Sequence, residues 1–262
     1  MNIISLASGS KGNLLYLKIE NKNILIDIGL SYKKIVEKLN FLNIKPNDID
    51  YCFITHEHQD HGKGVELFFK STDKTKLYTT KGTYYGLLEK GFIKSEKEII
   101  SKTNFLKYYE KIKIDNFNVT IIKNSHDAYE PFGIVFEYQD KKIVVITDTG
   151  YVSEENISYI KNANIYYLES NYDEQMLLQS KRPMQVKLRI SSDKGHLSNN
   201  QACKLIELVM SPNIKTKWII AHISEECNIQ SKIEREIIDN IKNIDNLEIY
   251  FTSQETGKII ND

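Results

Sequence analysis

The sequence predicts an α/β (α+β) protein, two sheets flanked by helices in a single domain over residues 1–262, and three observations carry that prediction. Short apolar runs bounded by turn residues recur along the first half. From residue 153 onward helical and strand-like segments alternate regularly. The strand-rich and helix-bearing halves are similar in size, with no linker, low-complexity tract or fixed-period repeat between them. Hydrophobic residues make up 41% and charged residues 27%, a mix that builds a core and argues against disorder.

Each element has a local reason. Leu14 to Ile19 and Ile24 to Asp27 are apolar runs flanking Glu20-Asn21-Lys22-Asn23, a hairpin connection. From Ser31 to Leu42, Ile35, Val36, Leu39 and Leu42 share one helical face, with Ser31 as the expected N-cap, and Pro46 with Asn47-Asp48 ends the helix. Tyr51-Cys52-Phe53-Ile54-Thr55 reads as a short buried strand. Strands follow at Leu77 to Thr80 and Asn116 to Lys123, with a helix at Thr83 to Lys90. Ile134 to Tyr138 and Lys142 to Thr147 form a second hairpin around Gln139-Asp140-Lys141. Helices near 153–161, Asn199 to Met210 and Ser231 to Asn243 then alternate with strands Ile165 to Leu168, Trp218 to Ala221 and Leu247 to Phe251.

Charge and cysteine usage narrow the function. The 35 basic and 35 acidic side chains cancel, which argues against a protein that coats nucleic acid by bulk attraction but leaves room for a local basic groove. Cys52, Cys203 and Cys227 are widely spaced and odd in number, as expected of free thiols in a reducing compartment. The opening segment does not read as a secretory leader, and the longest apolar runs fall far short of a membrane span. A cytoplasmic protein is the expectation, with no membrane partner and the oligomeric state open, a dimer included.

The strongest chemical signal is His56-Glu57-His58-Gln59-Asp60-His61, directly after the strand ending at Thr55. His56, His58, Asp60 and His61 cannot all serve one tetrahedral ion without strain, but alternate positions on a loop can face two neighbouring ions. Imidazole and carboxylate are ligands that zinc or manganese accepts. The helical zinc-protease pattern His-Glu-x-x-His does not apply, because position 60 is aspartate.

His-x-His-x-Asp-His after a hydrophobic strand resembles the signature of the metallo-β-lactamase fold, a four-layer αββα sandwich, over residues 3 to 252. The resemblance implies that His56, His58 and His126 hold a first divalent ion. It gives Asp60, His61 and His222 to a second, with Asp148 in Ile146-Thr147-Asp148-Thr149-Gly150 bridging both. Asp27 in Leu25-Ile26-Asp27-Ile28-Gly29 would steady the metal loop from behind. Further motifs narrow the likeness: Ala7-Ser8-Gly9-Ser10-Lys11-Gly12-Asn13, Glu169-Ser170-Asn171-Tyr172-Asp173, Lys194-Gly195-His196-Leu197-Ser198-Asn199 and His222-Ile223-Ser224-Glu225-Glu226. Together they resemble the bacterial WalJ (YycJ, VicX) group of exonuclease-like proteins. That resemblance implies His196 as the proton donor to the leaving group and Glu169 as its acidic partner. A structural, helix-capping role is the alternative for His196, and a surface charge that for Glu169.

The function expected from this resemblance is binuclear metal-dependent hydrolysis of phosphodiester bonds. Its substrate is nucleic acid, DNA first, cleaved exonucleolytically and with DNA repair as the implied setting. Two divalent ions, zinc or manganese, would supply a metal-bound hydroxide for in-line attack, oriented by Asp60 or Asp148. One local feature favours phosphate: Lys181, Arg182, Lys187, Arg189 and Lys194 stand against the single acid Asp193 on the approach to His196. The alternatives are a small-molecule phosphodiesterase or an RNA-processing nuclease of the same fold, a thioester or lactone hydrolase, and a metal-stabilised regulatory protein without turnover.

Overall fold

The computed structural model describes residues 1–254 and the backbone of 258–261. The chain forms two compact units: 1–107 with 128–131 and 253–262, and 108–127 with 132–252. In the first unit the elements are β1 (Asn2–Ala7), β2 (Leu14–Ile19), β3 (Lys22–Ile26), α1 (Tyr32–Phe41), β4 (Tyr51–Phe53), α2 (Gln59–Gly62), α3 (Val65–Lys70), β5 (Lys76–Thr79), α4 (Lys81–Glu89), α5 (Glu96–Ser101) and β6 (Thr103–Phe105). The second unit holds β7 (Lys111–Ile114), β8 (Phe117–Lys123), β9 (Phe132–Tyr138), β10 (Lys141–Ile146), α6 (Glu154–Ile160), β11 (Ile165–Glu169), α7 (Glu174–Gln179), α8 (Met184–Ile190), α9 (Asn199–Val209), β12 (Thr216–Ala221), α10 (Gln230–Asn240) and β13 (Leu247–Phe251). The last strand, β14 (Lys258–Asn261), pairs antiparallel with β1.

Each unit carries one mixed sheet of seven strands, in the orders β14-β1-β2-β3-β4-β5-β6 and β13-β12-β11-β10-β9-β8-β7. In both, antiparallel hairpins give way to parallel pairs: β3-β4-β5-β6 in one, β10-β11-β12-β13 in the other. Parallel neighbours end side by side, so loops leaving their carboxyl ends share one rim of the sheet, the usual place for a site. Ile26, Phe53 and Tyr78 stand in one register row, as do Ile146, Leu168 and Ile220. Asp27 and His56 lie just past the first row, Asp148, Glu169 and His222 just past the second.

Both hairpins are tighter than the sequence suggests. Lys22 pairs with Ile19 and Lys141 with Tyr138, leaving the two-residue turns Glu20-Asn21 and Gln139-Asp140. Glu20 (φ 52°) and Gln139 (φ 55°) each take the left-handed conformation that such a turn demands. Ser31 sits at the N-cap position of α1 without a side-chain capping bond, whereas Ser198 caps α9 by a capping box with Gln201. The strand expected through Thr55 ends at Phe53, since the Thr55 N–H turns to the Asp27 carboxylate at 2.9 Å.

Each unit packs a hydrophobic core of its own. In the first unit Leu6, Leu25, Cys52, Phe68, Phe69 and Leu87 are fully buried beneath the sheet and its helices. In the second, Trp218 is 0% exposed among Val144, Ile206, Ile220 and Ile233, and its indole N–H donates to the Leu168 carbonyl at 3.2 Å. Trp218→Ala empties a large site that rigid neighbours cannot refill. An expected loss of about 3–5 kcal/mol follows. A lower denaturation midpoint at unchanged urea dependence checks it.

Candidate metal centre

The first unit supplies a relay of hydrogen bonds around one buried carboxylate. Asp27 (φ 58°) accepts the Thr55 N–H at 2.9 Å and the Thr55 hydroxyl at 3.0 Å. It also accepts His61 Nδ1–H at 2.7 Å. The hydroxyl of Thr55 in turn lies 3.1 Å from His56 Nδ1 and accepts its proton. With both Nδ1 atoms protonated, His56 and His61 present Nε2 lone pairs. His56 Nε2 and His58 Nδ1 come within 3.1 Å, so two rings aim nitrogens at one point. Asp60 Oδ2 stands 3.6 Å from His61 Nε2. Asp27 thus holds two imidazoles, one directly and one through Thr55.

The Ala7–Asn13 loop locks this turn. Asn13 N–H donates to the Asp60 carbonyl at 2.7 Å, and its side-chain amide reaches His61 Nε2 at 3.0 Å. Gly29 must be glycine: a Cβ there would lie 1.7 Å from the Asp60 carbonyl oxygen and 2.7 Å from the His61 nitrogen. Gly29→Ala is therefore expected to push the Asp60–His61 turn out of place and weaken metal binding by roughly 10- to 100-fold, by analogy with the loss of a supporting contact. Metal-competition titration checks it.

In the second unit, three loops at the ends of β8, β10 and β12 converge. His126 is buried and donates Nδ1–H to the Gly195 carbonyl at 3.1 Å, again leaving Nε2 as the lone-pair atom. Burial holds its imidazole below the ordinary value, so it stays neutral, as a metal requires. Asp148 (φ 58°) and His222 (φ 50°) both occupy left-handed backbone, uncommon for such residues and typical of functional turns. His222 Nε2 is 3.5 Å from Asp148 Oδ1, and His196 Nδ1 is 3.7 Å from it. Asn171 donates to the His222 carbonyl at 2.7 Å and fixes that turn.

Glu169 is 0% exposed. One carboxylate oxygen accepts the Thr149 N–H at 2.6 Å, and the other accepts His196 Nδ1–H at 2.9 Å. The carboxylate therefore fixes the tautomer of His196, with the proton on Nδ1 and the lone pair on Nε2. His196 is not the helix cap; Ser198 fills that role. Its loop is seated by two glycines, since a Cβ on Gly150 would meet the Asp193 carbonyl at 2.3 Å and one on Gly195 the Ile190 carbonyl at 2.1 Å.

These donors fit divalent ions. Within the second unit Asp148 Oδ1 lies 3.5 Å from His222 Nε2 and 4.0 Å from His126 Nε2, one carboxylate facing two imidazole nitrogens. In the first, neutral nitrogens are directed by a buried carboxylate, the arrangement that raises ligand basicity. Thiol chemistry is excluded: all three cysteines are free and buried, and burial pushes Cys203 to about 12 and Cys52 well above its ordinary value.

Sequence reasoning named His56, His58, Asp60 and His61 in one unit and His126, Asp148, Glu169, His196 and His222 in the other, and each unit gathers its own set. It assigned no role to Asn13, Asn171, Gly29 or the Gly195 carbonyl, although all four lie inside the quoted motifs. The basic stretch before His196 corrects one expectation. It is partly helical (α8), and its arginines are committed: Arg182 to Glu226 at 2.9 Å, Arg189 to Asp127 through two bonds at 2.5 and 2.9 Å. Lys187 donates to the Leu178 carbonyl. The two arginine–carboxylate pairs lower the charge this segment offers to phosphate.

Comparison with known proteins decides the family. The β-lactamase superfamily domain model matches residues 22–223. The chain belongs to that family. It is a metal-dependent hydrolase with the metallo-β-lactamase fold, built on two mixed sheets. It is 34% identical over 260 residues to Exodeoxyribonuclease WalJ of Streptococcus pneumoniae, covering 96% of this chain and 94% of that one. It is also 34% identical over 226 residues to Exodeoxyribonuclease YycJ of Bacillus anthracis, covering 86% and 83%. The metallo-β-lactamase fold protein YhfI of Bacillus subtilis superposes with a TM-score of 0.71 at 12% identity, over 98% of this chain and 99% of that chain. Among the described residues, no helix is long and apolar enough to cross a membrane.

Proposed function

We propose that this protein is an exonuclease that hydrolyses phosphodiester bonds of DNA with two divalent ions, zinc or manganese, and that residues 1–262 work as one domain. The Glu169–His196 hydrogen bond of 2.9 Å, beside Asp148 and His222, carries the reading. A site that needs only a Lewis acid has no use for an imidazole oriented by a fully buried carboxylate. Phosphodiester cleavage does, because its alkoxide leaving group must be protonated.

In this reading His56, His58 and His126 would hold one ion, Asp60, His61 and His222 the other, and Asp148 would serve both. Divalent ions held there would supply a nucleophilic water at neutral pH and Lewis-acid stabilisation of the phosphate. Asp60, on the turn fixed by Asn13, or Asp148 would orient that water by accepting a hydrogen bond from it. His196 gives a proton from Nε2 to the departing oxygen while Glu169 stabilises the imidazolium through Nδ1. The 34% identity to proteins named exodeoxyribonucleases supports DNA as the substrate. A role in DNA repair is part of the proposal.

The test incubates purified protein with 5′- and 3′-end-labelled single- and double-stranded DNA and RNA in manganese or zinc. Mononucleotide or short-oligonucleotide release from DNA, abolished by chelator and restored by metal, is expected. Cleavage of small phosphodiesters with every polymer intact counts against the nuclease reading, and preferential cleavage of RNA counts against DNA.

A further inference from the structure

The loop that carries His196 is seated on the last turn of α8. The His196 N–H donates to the Ile190 carbonyl at 2.9 Å, and the Gly195 N–H to the Ser192 carbonyl at 2.8 Å. A Cβ on Gly195 would lie 2.3 Å from the Arg189 carbonyl oxygen, so only glycine lets the loop come this close. The Gly195 carbonyl in turn accepts His126 Nδ1–H at 3.1 Å. The residue after His126, Asp127, accepts from both Nε–H and Nη2–H of Arg189, at 2.5 and 2.9 Å. These contacts close a ring. It runs from His126 to Gly195, through His196 to Ile190, through Arg189 to Asp127, and back along the chain to His126. Two imidazoles stand on it, those of His126 and His196, with centroids 5.3 Å apart. The Arg189–Asp127 pair is the one link of the ring made by two side chains. Their side chains are 51% and 35% exposed, and an ion pair so exposed contributes little to stability as such. Its geometry is nevertheless the demanding one, since a planar fork on both oxygens of a carboxylate fixes orientation as well as distance.

From this geometry we propose that Asp127 and Arg189 are a positioning pair that holds the His196 imidazole in a set place relative to His126. The proposal rests on the nuclease reading above, in which His196 protonates the leaving oxygen. A reacting group misplaced by about 1 Å can cost on the order of a hundredfold in rate, so a contact that is weak for stability has leverage here. An arginine kept for DNA phosphate would behave differently. It would act on binding, and Asp127 would oppose it.

The decisive experiment is steady-state kinetics of wild type, Asp127→Ala, Arg189→Ala, Arg189→Lys and the Asp127→Ala/Arg189→Ala double variant. The substrates are end-labelled DNA and a p-nitrophenyl phosphodiester. Bound metal is counted in each protein, because Asp127 Oδ1 also stands 3.4 Å from His126 Nε2. Each single alanine variant is expected to lower kcat on DNA roughly tenfold to a hundredfold, with KM and metal content within about twofold of wild type. Arg189→Lys should fall with them, because an ammonium keeps the charge but not the fork. The double variant should be no worse than either single one, as residues that act as a unit require. On the p-nitrophenyl ester, whose leaving group needs no proton, every variant should stay within about threefold of wild type, whereas a general structural loss would lower both rates. A KM raised by Arg189→Ala and lowered by Asp127→Ala would make Arg189 a phosphate contact and overturn the pair. Equal losses on both substrates, a fall in metal content, or wild-type kcat in the single variants would overturn it as well. A wild-type protein that cleaves the ester but no DNA overturns the nuclease reading and the pair with it.

Discussion

Asp148→Asn is expected to leave the protein folded and lower kcat/KM on DNA on the order of 10³-fold. Asp148 sits at φ 58°, a left-handed conformation that asparagine tolerates nearly as well as aspartate. The turn that also places Thr149 N–H on Glu169 should therefore survive. What changes is charge: a neutral amide replaces the carboxylate proposed to hold both ions. Such ions contribute several kcal/mol of transition-state stabilisation, and each 1.36 kcal/mol is tenfold in rate. Metal content should fall alongside activity, while the unfolding midpoint without added metal moves little. Activity within tenfold of wild type at equal metal would remove Asp148 from the proposed centre.

His196→Ala tests the chemistry separately from the metal. Loss of a positioned general acid costs ~10²–10⁴ in rate, and metal stoichiometry should not change. The loss should shrink on a p-nitrophenyl phosphodiester, whose leaving group needs no proton. Equal losses on both substrates would mean that His196 supports binding or structure instead. Glu169→Gln should resemble a weaker His196→Ala. A carboxylate accepts from both Thr149 N–H and His196 Nδ1–H, whereas an amide has one accepting oxygen and must meet one of these donors with its own N–H. The imidazole then loses its fixed tautomer, as a triad histidine does when its aspartate becomes an amide.

Much of the donor set was legible because its residues are chemically conspicuous and local. His56 to His61 lie in one short run, and Asp27, Asp148 and His222 each follow a strand that apolar patterning reveals. What remained hidden is pairing at a distance. The carbonyl that orients His126 belongs to Gly195, 69 positions away, and a backbone oxygen has no sequence signature. Arg189 meets Asp127 across 62 positions and Arg182 meets Glu226 across 44, so both arginines of a stretch that reads as free positive charge are paired with carboxylates. The same limit explains Glu57. It sits inside the run of donors as a buried acceptor, and the Tyr129 N–H that it accepts lies 72 positions away. Strand β1 was unread because its residues are buried on both faces after Asn2, which removes the alternation that marks a half-exposed strand. Helices α7 and α8 span 6 and 7 residues with little buried surface, too short for a helical period to stand out.

The central claim is that two ions and these donors together hydrolyse DNA. Its most direct test strips the purified protein with chelator, adds manganese or zinc back stepwise, and reads bound ions per chain by native mass spectrometry beside the rate of DNA hydrolysis. The account predicts a rate that rises with occupancy of the second ion and stays near background in Asp148→Asn at every metal concentration. Full hydrolysis with one ion bound, or with none, would contradict it.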